Sequence, residues 1–309
     1  MSETEFPKAA LVETGAFGID RARALEKLRD FQIEHPEEFY RDLVRAGVHS
    51  KAEWIRVEPG DSFRISFDGR PLTYGTLEDP FSSLISGDNP ATERDKALAY
   101  GILAALRLGP ERITVESGRG RDRRLLVIGS VDKMKNEDPG VDEGCTIITV
   151  DWSNKRRGLS LAKENELLEV LGMMKPRLIF VEGRNDWQHA SRLLEQRKDV
   201  SESFGKEWNA FAAPSKMAAG RLFLYKDGIR VGGEVPTPMD MRALDLFLEV
   251  PKSQIDISRA SLVKTPAIKN AISNAYQWAD HEFPLISGFS WRRLWIENRY
   301  DFDLGIGFS

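Results

Sequence analysis

Apolar side chains recur at helical spacing along residues 21–34, where Ala24, Leu25, Leu28, Phe31 and Gln32 fall on one stripe. His35-Pro36 breaks that helix, because the residue before a proline is pushed out of the α region. A second helix is predicted over 36–47, "PEEFYRDLVRAG", with Pro36 at its first position, Glu37 and Glu38 facing the positive helix start, and Gly47 as its C-terminal cap. The pattern then changes period. "EWIRVEP" and "SFRISFDG" alternate apolar and polar positions as half-buried strands do, joined by a Pro59-Gly60-Asp61 turn. A third helix, over 92–109, places Leu98, Ile102, Ala105 and Leu106 on one face and ends at Gly109-Pro110. Three strands follow: "RITVESG", "RLLVIGS" and "CTIITVDW". Two helices, two strands, a helix and a run of strands predict an α+β sandwich, with helices on one face of a mixed, mostly antiparallel sheet.

After Trp152 the pattern weakens. "SNKRRGLSLAKENE" reads as a surface linker and "ELLEVLGMM" as a short helix. "PRLIFVEG", "GRLFLYKDGIRVGG" and "DLFLEVPKSQIDIS" are β-rich, and the segment between them, "DWQHASRLLEQRKDVSESFGKEWNAF", is expected to be helical. "TPAIKNAISNAYQWADHEF" predicts one more helix, before an aromatic, basic stretch "FSWRRLWIENRYDF". The expected division is an extension over 1–20, a first domain over 21–160, and a smaller β-rich domain over 161–309.

Length and composition agree with two domains of roughly 150 residues. The chain has 309 residues, 41% hydrophobic and 30% charged, as in globular rather than disordered proteins. A formal charge of −4 gives no bulk attraction to nucleic acid or to anionic membranes, so neither is an expected partner. One cysteine, Cys145, excludes an intrachain disulfide and fits a reducing compartment. No secretion signal and no run of about 18 apolar residues is present, and the cytoplasm is the expected location.

Familiar catalytic signatures are absent: no GxxxxGK[ST], no GxGxxG after a strand, no HExxH and no paired CxxC. His35, His49, His189 and His281 have no metal-ligand spacing, and no metal site built from side chains alone is expected. "RGRDRR" at 119–124 reads as a solvated basic hairpin turn, with a phosphate or nucleic-acid patch as the alternative. Trp291, Arg292, Arg293 and Trp295 fit a packing tail or a partner surface.

Four boxes remain, in order: "FYRDLVRAG", "ISFDGRPL", "LAYGILAALRLGPERITVES" and "GCTIITV". Their order and spacing over residues 20–152 resemble the nucleotide-binding domain of the GHKL superfamily, which includes gyrase, heat-shock chaperone, histidine kinase and mismatch-repair ATPases. Further on, "LFLEVPKSQIDISRASLVKTPAIKNAI" resembles the catalytic-loop region of the middle domain in the ninety-kilodalton heat-shock chaperones, with "RLFLYKDGIRV" as the preceding strand pair.

The resemblance implies a Bergerat-type α/β sandwich with a site for ATP and Mg2+. Asp42 would be the acid that activates water, one methylene shorter than the family's Glu. Ala46 stands where the family has its magnesium-binding Asn. Asp68-Gly69 would meet the adenine, Gly101 the lid over the phosphates, and Gly144 with Cys145 or Thr146 the last box. Arg259 would reach in to the terminal phosphate from the second domain. An acid, a cation and an arginine are what phosphoryl transfer requires. Without the Asn and the lid glycines, hydrolysis is expected to be weak or lost. Each box also has an ordinary reading: a capping acid at Asp42, a plain turn at Asp68-Gly69, a surface ion pair at Arg259. The resemblance implies a degenerate chaperone-like ATPase, acting as a nucleotide-dependent switch or chaperone-like module on a protein client. The alternative is a nucleotide-free pseudo-ATPase that serves as a scaffold or adaptor.

Overall fold

The computed structural model describes residues 20–60, 62–85, 92–131, 133–139, 144–152, 170–171, 176–182, 185–187, 201–204, 208–214, 220–232, 235–236, 244–250, 255–256, 262–263 and 265–282. Its order opens with α1 (Arg21–Lys27), which widens into a π-turn over Leu28–Gln32, and a 3₁₀ turn at Pro36–Glu38 that leads into α2 (Phe39–His49). Next come β1 (Trp54–Glu58), β2 (Ser62–Phe67), the short α3 (Tyr74–Glu78) and α4 (Ser82–Ile85), and the long α5 (Glu93–Arg107). The strands β3 (Arg112–Ser117), β4 (Arg124–Ser130), β5 (Lys133–Glu137) and β6 (Thr146–Asp151) follow.

These strands build an eight-stranded sheet in the order β5-β4-β3-β6-β2-β1-β7-β8, with β7 (Arg177–Glu182) and β8 (Asn185–Trp187) supplied from beyond the linker. The chain after residue 160 therefore returns to the first sheet. β7 lies parallel to β1, with Ile55 opposite Leu178, and the other pairings are antiparallel. The predicted sandwich is present: α2 and α5 pack over one face, onto Ile55, Val57, Phe63, Ile65, Phe67, Ile113, Val115, Ile148 and Val150, all fully or almost fully buried.

Two glycines set how closely the layers approach. A Cβ on Gly101 would lie 2.5 Å from Leu43 Cδ2 and 3.1 Å from Leu43 N, so α5 crosses α2 at a point only glycine fits. A Cβ on Gly47 would lie 2.9 Å from Ile55 Cδ1 and 3.1 Å from Phe67 Cδ1. Gly47 is thus interior to α2 rather than its cap, because the helix needs a bare position against the sheet. Ser50 ends the helix instead, its N–H donating to Ala46 O. Gly109 caps α5 as expected, at φ +67° with its N–H donating to Leu106 O.

A second sheet has the order β12-β11-β14-β10-β9, with β13 (Val235–Pro236) also on β11. Its strands are β9 (Ser201–Phe204), β10 (Asn209–Pro214), β11 (Arg221–Lys226), β12 (Ile229–Arg230) and β14 (Leu244–Glu249). β9 and the start of β10 lie in the stretch expected to be helical. Ser201–Phe204 is too short and polar to show alternation, and it becomes a strand by pairing with β10. One face of this sheet, through Leu222, Leu224, Leu246 and Leu248, packs on the helix Pro266–Glu282 through Ile268, Ile272, Ala275 and Tyr276. The other face carries Phe223, Tyr225 and Phe247, with Phe223 and Phe247 stacked 5.1 Å apart. Ile229, on β12 of this sheet, packs its side chain into the core of the first one. No helix among the described residues is long and apolar enough to cross a membrane.

Candidate functional site

The residues singled out by sequence separate into two groups at opposite ends of α2. Asp42 sits in the first turn of the helix and is buried, 5% exposed. Its carboxylate accepts from the Arg45 guanidinium one turn on, a short contact between two buried side chains. A similar i,i+3 pair joins Arg41 to Glu38. Burial pushes the carboxyl of Glu38 up, against the pull of Arg41, and also raises the hydroxyl of Tyr40.

The hairpin between β11 and β12 closes over this helix. Asp227 and Gly228 occupy its tip at φ +59° and +74°, as a two-residue Asp-Gly turn with both central residues left-handed demands. The Asp227 carboxylate meets His49 Nε2 at 3.2 Å, Arg45 Nε at 3.6 Å and Lys226 Nζ at 3.6 Å. Burial pushes its pKa up, but the hydrogen bond from His49 and the charges of His49, Lys226 and Arg45 outweigh this, and the net shift is downward. Arg230 follows on the same hairpin, and its guanidinium also lies 5.6 Å from the Phe223 ring.

The cavity beside Asp42 is lined by Glu38, Arg41, Arg45, Ala104 and Arg230, among others, and has room for no more than a water molecule or two. Ala46, expected near the metal, is fully buried in the core. Asp68, Gly69 and Gly144–Thr146 do not line this cavity. Asp42 therefore has an ion-pair partner, and the cavity beside it is too small to admit ATP with Mg2+ in this arrangement.

The other end of α2 lies about 12 Å along the helix axis, eight residues on at Ser50. Here Asp68 Oδ1 accepts from Glu53 N at 2.8 Å and Trp54 N at 3.0 Å, tying the end of β2 to the start of β1. Gly69 adopts φ +91°, and a Cβ there would fall 2.7 Å from Ser50 O, so only glycine lets this turn dock against the end of α2. Thr146 pairs with Phe67 across β2 and β6, and its Oγ1 lies 2.7 Å from Ser117 Oγ, which in turn accepts from Leu72 N. Asp68, Gly69 and Thr146 are thus brought to one end of the sheet, each with a bond or fit that holds the fold. Gly144 is a left-handed turn position at φ +70° before β6.

Gly101 lies in the middle of α5, not in a loop. The residues before it are helical from Glu93, and the helix start is closed by side chains: Thr92 Oγ1 accepts from Asp95 N, and Thr76 Oγ1 of α3 donates to Asp95. Two acids, Glu93 and Asp95, occupy the first turn, where a phosphate site presents bare amides. Ser258, Arg259 and Ala260 lie outside the described residues, as does the stretch 283–309.

One buried group escaped the sequence reading. Within the basic turn 119–124, Arg123 is fully buried. It donates to Glu116 Oε1 at 2.9 Å, to Cys145 O at 3.0 Å and to Gly118 O at 3.3 Å, fastening the β3–β4 turn to the start of β6. Among the described residues no group of three or more His, Cys, Asp or Glu is placed to hold a metal ion. No protein-family model matches the chain, and no curated protein matches it.

Proposed function

We propose that this chain is a nucleotide-free relative of the GHKL ATPases, with the layout of a heat-shock chaperone's first two domains, that serves as a scaffold or adaptor for protein partners. The observation that carries this reading is the state of Asp42, whose carboxylate is bound by Arg45 in a cavity sized for water. Three further features support it. The lid position is an ordinary helix with acids in its first turn, Gly101 serves helix packing, and Asp68 Oδ1 accepts two backbone N–H groups of the fold. The hairpin contact through Asp227 supports a fixed rather than a switching arrangement, since its carboxylate meets His49, Arg45 and Lys226.

Calorimetric titration of the purified chain with ATP and magnesium tests the reading. No heat of binding is expected up to millimolar nucleotide. Saturable binding with magnesium dependence overturns it and restores the nucleotide switch.

A further inference from the structure

We infer that the groove between α3 and the β3–β4 turn is a docking site for an acidic peptide segment with one apolar anchor side chain. The groove encloses about 350 Å3, near the lower end of the range of about 300–1,000 Å3 for ligand pockets. That volume takes one or two side chains rather than a folded surface. This deepens the adaptor reading, and rests on it, by naming where a partner binds and what chemistry it carries.

Its floor is Leu72 and Leu77, both buried, and its lip is Tyr74. Tyr74 is 64% exposed, and the one other exposed large hydrophobic among the described residues, Val263, is 36% exposed. It is held at the first position of α3 by the Thr73 cap, whose side chain accepts from Thr76 N. Tyrosine and arginine are the residues that most often anchor protein contacts, since they bring large contact area for few torsions.

The facing wall supplies the arginine. Arg119, Arg121 and Arg124 are exposed on the turn, against one exposed carboxylate, Asp122. Arg119 and Arg124 line the groove beside Asp122, with Arg121 exposed on the same turn just outside the lining; this local excess of guanidinium on a chain of net charge −4 has an acidic segment as its complement. The wall is also pre-formed, which lowers the entropy lost on binding. Arg123 is anchored inward, Arg124 donates to the carbonyls of Arg121 and Arg123, and Gly118 holds φ +107° where a Cβ would fall 2.4 Å from Asp122 O. Nucleic acid fits less well, because a single exposed aromatic gives no stacking series and the chain as a whole is acidic.

The test is fluorescence anisotropy with short fluorescein-labelled peptides: one rich in Asp and Glu around a central Leu, one with that Leu replaced by Gly, and one with the acids replaced by Lys. The acidic Leu peptide binds, the other two bind at least about tenfold more weakly, and added salt weakens binding. Tyr74→Ala and Arg119→Glu each weaken it about tenfold or more while the unfolding midpoint stays where it is, both side chains being exposed. Equal binding of the Gly peptide, unchanged binding by Tyr74→Ala, or no binding at all overturns the proposal. Tighter binding of a single-stranded RNA oligonucleotide through the same arginines overturns it in favour of a nucleic-acid surface. Nucleotide binding by calorimetry removes the adaptor reading but leaves this result standing, whereas peptide failure removes the groove alone.

Discussion

Replacing Gly101 by alanine separates a glycine that packs two helices from one that covers a phosphate. In a helix interior with open space around it, Gly→Ala stabilises by about 1 kcal/mol, because alanine has less backbone freedom to lose. Gly101 has no open space. Its new Cβ would lie 2.5 Å from Leu43 Cδ2, 2.9 Å from Leu43 Cγ and 3.1 Å from Leu43 N. Leu43 is 1% exposed, so its side chain cannot swing outward, and its backbone belongs to α2. Overpacking of this kind costs about 1–3 kcal/mol. Set against the propensity gain, the net expectation is destabilisation by about 0–2 kcal/mol rather than the gain of an open site.

Urea unfolding followed by tryptophan fluorescence measures this directly, with seven tryptophans as reporters. Leu43→Ala alone should cost about 2–5 kcal/mol by leaving a cavity. In the double variant the alanine methyl at 101 enters that space, so the two effects should fall short of additive by about 1 kcal/mol or more. Stabilisation by Gly101→Ala, or strict additivity with Leu43→Ala, would refute the crossing-point assignment and reopen a loop or lid role.

Ala46→Asn, which restores the family's magnesium ligand, should destabilise by about 2–4 kcal/mol, since it buries an amide and extra volume where the methyl is fully enclosed; calorimetry should find no gain in nucleotide binding. Asp68→Ala should cost about 1–3 kcal/mol in urea unfolding by stranding the Glu53 and Trp54 amides. Arg123→Ala should cost about 3–5 kcal/mol, as expected when one partner of a buried ion pair is removed, while Arg121→Ala on the same turn should stay within about 0.5 kcal/mol. For Asp227 the folded pKa lies below the unfolded one, so its contribution is complete above about pH 4 and is lost as the pH falls through the folded value. The unfolding midpoint of Asp227→Asn should therefore fall less steeply below that pH than the wild type's; identical acid limbs would remove Asp227 as a contributor.

The first sheet and its two main helices were legible because their periods are strong: Ile55 and Val57, then Phe63, Ile65 and Phe67, alternate without a break. β5 was not legible, because "KMKNE" is an edge strand, exposed on nearly every side chain, and carries no apolar face. The parallel pairing of β1 with β7 joins residues more than a hundred positions apart, and no local pattern encodes it. Gly47 read as a stop signal because an apolar run ended there. Its actual constraint is the approach of Ile55 and Phe67, visible only across the layers. In "RGRDRR" four arginines look alike, and what turns Arg123 inward is Glu116 and the Cys145 carbonyl on neighbouring strands. At the candidate site, the position of each box was legible but the partner of each residue was not. Arg45 lies one turn from Asp42 and carries no signal of its own, and nothing local to His49 marks it as facing Asp227 from the next sheet.

Box order is therefore a weaker guide to chemistry than it looks, for a physical reason. The residue types that make a phosphate site, an acid on a helix, an Asp-Gly turn and a glycine where two elements touch, are also those that close turns and let layers meet. In this chain Asp68 satisfies two amides, Gly69 admits a carbonyl and Gly101 admits a leucine. Each keeps its identity under selection for folding alone. What folding does not preserve is an oxygen or an N–H left unmade and aimed at empty space, because an unsatisfied buried group costs about 1–3 kcal/mol unless a ligand meets it. Asp42 is the informative residue for that reason. With Arg45 on its carboxylate and Arg41 and Arg230 lining the same small cavity, the helix and the β11–β12 hairpin together bring cations to this acid from within the fold.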